Sequence, residues 1–118
     1  MKIDYAIIFV SDMAKSVSFY KDVLGFPLKF ESKEWTEFAG EGATLALHIS
    51  DKAKPDVQQQ KYPGQCIPGF QVKNLDEFHK KMISNSVVCK SEPRDVFGSK
   101  IAQYVDPDGL IFSVGETH

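Results

Sequence analysis

Trp35, Glu37 and His48 are the side chains of this sequence around which a chemistry can be built, because one candidate hairpin gathers them on one face. The stretch Trp35–Ile49 reads as two runs of period-two character, Trp35–Ala39 and Ala43–Ile49, about a Gly40-Glu41-Gly42 turn. With Phe38 set opposite Ala43, Trp35 falls opposite Ala46 and Glu37 opposite Thr44. Thr36, Phe38, Leu45, Leu47 and Ile49 then form a core face, and Trp35, Glu37, Thr44, Ala46 and His48 form the other. An imidazole and a carboxylate are natural general bases, and a large ring facing a missing side chain leaves space for a flat molecule to stack. In that register Glu37 and His48 lie four residues apart, about 13 Å, too far to share an ion. The competing reading of the same residues is a solvated outer face that carries a Trp and a His.

The remaining candidates for metal or nucleophilic chemistry are scattered. His79 falls on a predicted helix, where an edge-of-core role is expected, and His118 is terminal. Three histidines at unrelated places do not build a metal site. Cys66 and Cys89 form no CxxC motif and sit in apolar surroundings, so buried free thiols and a cytoplasmic setting are expected. Asp106-Pro107-Asp108-Gly109 holds two acids, but it has too few oxygen ligands for calcium and reads as a turn.

The elements that position these residues follow from periodicity. Ile3–Val10 is β-rich and apolar on both faces, as in a strand covered on both sides. Asp12 is placed to cap a helix over Met13–Leu24 with a core stripe of Met13, Val17, Tyr20 and Leu24, and Gly25 ends it. Phe26–Glu31 returns as a strand, and the hairpin follows. Ser50–Gln65 is polar, proline-bearing and without period. The pattern then restarts: Ile67–Val72 is a strand, Asn74 takes the capping place of Asp12, and Leu75, Phe78, Met82 and Ile83 form a helical stripe. Val87–Lys90 is a strand, and Lys100–Val105 and Leu110–Val114 close a second hairpin. The chain is thus a βαβββ unit, a linker and a second βαβββ unit.

Length and charge narrow the partners. A chain of 118 residues with 42% hydrophobic and 25% charged residues is expected to be one domain, 1–118, with modules 1–50 and 65–118 and a linker 51–64. A net charge of −2 offers no basic excess to meet phosphates, so neither nucleic acid nor an anionic membrane is an expected partner. No run approaches the ~20 apolar residues of a spanning helix, and the N-terminus lacks the pattern of a signal peptide.

The chain resembles the vicinal oxygen chelate superfamily, which includes glyoxalase I, fosfomycin-resistance thiol transferases, extradiol dioxygenases, methylmalonyl-CoA epimerase and bleomycin-resistance proteins. The matching pieces are Phe9-Val10-Ser11-Asp12-Met13 leading to Ser16, Phe19-Tyr20, Leu24-Gly25-Phe26, Leu45-Ala46-Leu47-His48 and Tyr104-Val105-Asp106-Pro107-Asp108-Gly109. The resemblance implies an α+β, glyoxalase-like fold in which two tandem βαβββ modules form a curved mixed-sheet cup. It also implies a divalent metal on four equivalent strand positions, normally His, Gln or Glu. By motif spacing these are Tyr5, Ala46, Ile67 and Ser113, none a usual ligand, so no metal and no cofactor is expected. A two-residue slip along the strands brings in only His48 and Gln65.

The expectation is therefore a metal-independent small-molecule binding protein, similar to bleomycin-resistance proteins and holding an aromatic or flat ligand. The cup would be lined by Tyr5, Ile7, Phe9, Trp35, Glu37, Thr44, Ala46, His48, Gly69, Gln71, Ile111 and Ser113, with either Gln103 or Tyr104. A homodimer is expected, since related proteins pair to close their cups. The alternative is a glyoxalase-like, metal-dependent lyase or isomerase related to lactoylglutathione lyase. A third reading is a metal-free enzyme with His48 or Glu37 as general base, for which the sequence names no orienting partner.

Overall fold

The computed structural model describes residues 1–51 and 63–117. They build an α+β protein of two βαβββ modules in tandem, each a four-stranded mixed sheet. The chain divides into two compact units, Met1–Lys54 and Pro55–His118. Most of the expected linker, residues 52–62, and His118 lie outside the described residues.

The first module runs β1 (Tyr5–Val10), α1 (Met13–Ser18), a π-helical turn (Phe19–Val23), β2 (Leu28–Glu31), β3 (Trp35–Phe38) and β4 (Thr44–Ile49), with strand order β1-β4-β3-β2. The parallel β1–β4 pair requires a crossover, which the helix and the strands between them supply. The Asp12 carboxylate caps α1, accepting the backbone N–H of Lys15 at 3.0 Å. The expected single helix to Leu24 is instead an α-helix ending at Ser18 and a π-helical turn. Leu24 N–H reaches back to the Phe19 carbonyl at 3.0 Å. The wider turn lets two successive rings, Phe19 and Tyr20, both enter the core. Beneath them lie Ile8, Val10, Val17, Phe38, Leu45 and Leu47, all buried.

Two expectations for this sheet are corrected. The face of β1 bearing Ile8 and Val10 is covered, but Tyr5, Ile7 and Phe9 on the other are 46%, 48% and 64% exposed. Continuous apolar runs imply two covered faces only where helices pack on both sides; here β1 is an edge strand in the first module's sheet. The hairpin register is also shifted by two residues, pairing Trp35 with His48, Thr36 with Leu47, Glu37 with Ala46 and Phe38 with Leu45. The neighbours hold the turn open: Ala39 N–H bonds the Pro27 carbonyl and Thr44 N–H the Asp4 carbonyl, each at 2.8 Å. A shift of two preserves face, so Thr36, Phe38, Leu45 and Leu47 remain on the core side, buried.

The second module runs β5 (Gly69–Val72), α2 (Leu75–Ser84), β6 (Val88–Val96), β7 (Ser99–Val105) and β8 (Ile111–Glu116), ordered β5-β8-β7-β6. Asn74 caps α2, its side chain accepting Glu77 N–H at 3.0 Å. Leu75 and Met82 are buried, whereas Ile83, expected in the stripe, is 54% exposed. Strand β5 starts at Gly69, so Ile67 precedes it. β6 runs well past the expected Lys90 and contains Pro93, which an edge strand tolerates where its register is irregular, here between Ser91 and Arg94. It turns into β7 through Phe97 and Gly98, both at positive φ (50° and 81°), the geometry of a tight primed hairpin turn.

The Asp106 carboxylate accepts N–H groups of Asp108 and Leu110 at 2.9 and 2.8 Å, which marks this stretch as a turn. The thiols are less buried than expected: Cys66 is exposed, and Cys89 on β6 is half-buried. Partial burial, then the Glu92 charge, pushes the Cys89 thiol up. Among the described residues no helix is long and apolar enough to cross a membrane.

Candidate functional site

The face of the first sheet opposite α1 is laid out in rows by the strand register. Phe9, His48 and Trp35 form one row across β1, β4 and β3. Ile7, Ala46 and Glu37 form the next, and Tyr5 and Thr44 follow. In the first row the Phe9 and His48 rings lie 5.5 Å apart, and His48 meets Trp35 edge-on at 5.9 Å. Ala46 is fully buried beneath its larger neighbours and serves as the floor.

Trp35 is pinned at both ends. Its backbone N–H donates to Ser32 Oγ at 3.0 Å, and that hydroxyl donates back to the Trp35 carbonyl at 2.7 Å. Its indole Nε1–H donates to Glu37 Oε2 at 2.9 Å, and Tyr5 tilts against the ring at 6.2 Å. The other carboxylate oxygen of Glu37 faces Lys29 Nζ at 3.8 Å. Glu37 is therefore engaged in holding the indole. With Glu37 opposite Ala46, His48 lies two residues along, about 7 Å rather than 13 Å.

His48 has the orienting partner that sequence reading could not name. Its Nδ1 lies 2.7 Å from the Ile49 carbonyl oxygen. A carbonyl only accepts, so Nδ1 carries the proton in that bond and the neutral ring presents a bare lone pair at Nε2. Among the described residues Nε2 has no hydrogen-bond partner.

The second module presents its own open face. Ser113 on β8 pairs with Gly69 on β5 and with Gln103 on β7, and Gln71 pairs with Gly115. Gln71, Gln103 and Ser113 thus share a face, which resolves the choice between Gln103 and Tyr104. Tyr104 points into the core beside Phe78 and Phe112, fully buried, with its hydroxyl 3.0 Å from His79 Nδ1. Burial, then the neighbouring Cys89, pushes the phenol up to about 12, so it stays protonated. His79 accordingly serves the core.

The positions at which the family places metal ligands do not fit a metal. Ala46 and Ile67 bring no donor atom, and Tyr5 and Ser113 offer only a phenol and a hydroxyl. Among the described residues no group of three or more His, Cys, Asp or Glu side chains could hold an ion.

The fold matches a known family. The model of the Glyoxalase/Bleomycin resistance protein/Dioxygenase superfamily matches residues 2–114, and the chain belongs to that superfamily. Its relatives include the "uncharacterized protein YraH" of Bacillus subtilis, 27% identical over 97% of each chain. The metallothiol transferase FosB of Staphylococcus saprophyticus is 28% identical over 89% of this chain and 70% of its own. Among solved structures, a superfamily member from Sphaerobacter thermophilus superimposes with a TM-score of 0.79 at 23% identity, covering 99% of this chain and 98% of that one.

Proposed function

We propose that this protein binds a small aromatic or flat molecule without a metal, in the manner of the bleomycin-resistance branch of its superfamily. The observation that carries the reading is the Phe9–His48–Trp35 row, held in place by bonds within the protein while its outer side stays open. Preset aromatic walls with few polar groups are what a ligand face needs, because little ordering remains to be done on binding. Tyr5, Phe9, Trp35, Glu37, Thr44, Ala46 and His48 line this face of the first module, while Gln71 and Ser113 belong to the second module's own face. We take the two modules as one domain acting in the cytoplasm. The position of β1 as an edge strand of the first module's sheet also leads us to propose a homodimer.

Trp35 is the only Trp, so its emission reports on this face directly. A compound screen should yield ligands that quench it, elemental analysis should find no stoichiometric transition metal, and light scattering should give twice the chain mass. About one Zn or Ni per subunit, lost on His48→Ala, would overturn the metal-free reading. The metallothiol transferase relatives favour a second reading, a metal-dependent lyase, isomerase or transferase with ligands placed differently. Tight stoichiometric uptake of added Zn²⁺, Ni²⁺ or Mn²⁺ would select it.

A further inference from the structure

We infer that the molecule taken by the first module's face is a flat aromatic hydrogen-bond donor, its O–H or N–H seated on His48 Nε2. The inference rests on the proposal that this face is a ligand site and concerns which chemistry it selects. Its ground is that, among the described residues, the polar side-chain atoms of the Phe9–His48–Trp35 row are committed, save His48 Nε2. The Trp35 indole N–H is spent on Glu37, at 2.9 Å. The Glu37 carboxylate has that indole on one oxygen and Lys29 beside the other. His48 Nδ1 is tied to the Ile49 carbonyl at 2.7 Å. In the neutral ring that bond fixes the tautomer, so Nε2 is an acceptor.

A ligand lying against Phe9 and Trp35 therefore meets an acceptor and no free donor within that row. A carbonyl or ether oxygen placed there gains nothing and loses a bond to water, while a phenol, enol or heteroaromatic N–H gains one. The Ile49 carbonyl does for His48 what an orienting carboxylate does elsewhere, holding the ring's plane and proton without adding charge. Selection by this acceptor is modest, because His48 is exposed and its Nε2 can take water when the ligand brings no donor.

The test compares 2-naphthol with 2-methoxynaphthalene by equilibrium dialysis at neutral pH. The two share a ring system and differ in the donor. The parent should favour the naphthol by roughly two- to tenfold, the worth of one net hydrogen bond. His48→Phe keeps an aromatic ring and should abolish that preference while still binding the ether. His48→Gln, which returns an acceptor oxygen, should restore part of it. Trp35→Ala should weaken both compounds by a similar factor. Equal binding of the two compounds to the parent, or a preference that survives His48→Phe, would overturn this inference and leave the ligand face standing. Failure of both compounds to bind, or binding of both unaffected by Trp35→Ala, would overturn the face and the inference together.

Discussion

Replacing Trp35 by alanine should cost the fold less than replacing Leu47, although tryptophan is the larger side chain. Leu47 on β4 is fully buried on the helix-covered side, paired with Thr36, itself fully buried. Truncation there leaves a cavity that packed neighbours cannot fill, at about 2–5 kcal/mol. Trp35 lies half-buried on the opposite face. Its removal takes away one hydrogen bond to Glu37, about 1 kcal/mol net, and tilted or edge-on ring contacts with Tyr5 and His48. A ring pair is worth about 0.5–1.5 kcal/mol, and exposure lowers that here. Glu37 is left able to take water and keeps Lys29 nearby, so no buried group is orphaned. The expected total is about 2 kcal/mol. Urea unfolding followed by far-ultraviolet circular dichroism suits both variants, since one of them lacks the fluorophore, and unchanged m-values would make the midpoints comparable. A Trp35→Ala loss equal to that of Leu47→Ala would place Trp35 in the structural core and refute its assignment to an open ligand face.

Three further outcomes follow from the structure. Phe97→Asn should stabilise the protein by about 1 kcal/mol, because Phe97 is fully exposed at φ 50° in a two-residue turn that asparagine before glycine adopts with less strain; a lower urea midpoint would contradict it. Ser16→Ala should leave stability unchanged or raise it by about 1 kcal/mol, since the buried Ser16 Oγ has no hydrogen-bond partner among the described residues; thermal unfolding reads the sign. Tyr104 holds its proton up to about 12 in the fold against an ordinary 10.0, so its contribution is full below about pH 10 and fades as pH rises through about 12. Tyr104→Phe should therefore flatten the fall in stability across that window, and parallel curves for parent and variant would refute the assignment.

The fold was legible because its signals are local and doubled. Asp12 and Asn74 each stand before an apolar helical stripe, and each caps its helix in the structure. What escaped reading was governed by neighbours. The π-helical turn depends on Phe19 and Tyr20 both finding space in the core, which periodicity cannot express. The length of β6 was hidden by Pro93 and by a turn whose first residue, Phe97, is no usual turn former. Tyr104 and Gln103 could not be told apart because the run Ile101–Val105 shows no alternation of polarity. Pairing with Phe112 and Ser113 on β8 separates them.

For the candidate site the limit was register rather than face. Alternation in the sequence sorts side chains by parity, and a two-residue slip leaves parity intact. Sequence reading therefore placed Trp35, Glu37, Ala46 and His48 together while giving Trp35, Glu37 and Ala46 the wrong opposite number and His48 none. The difference decides the chemistry. In the register read from sequence, Trp35 faced Ala46, and His48 stood far from Glu37 as an unsupported base. In the structure Trp35 faces His48, and the indole turns its N–H along the strand to Glu37 in the next row. The carboxylate thereby becomes a clamp on the tryptophan, and among the described residues the imidazole Nε2, between two aromatic rings, has no hydrogen-bond partner. Under the proposed reading, a ligand lying on this row is selected by shape and by the hydrogen bond it donates to His48 Nε2, while Glu37 holds the indole from the neighbouring row.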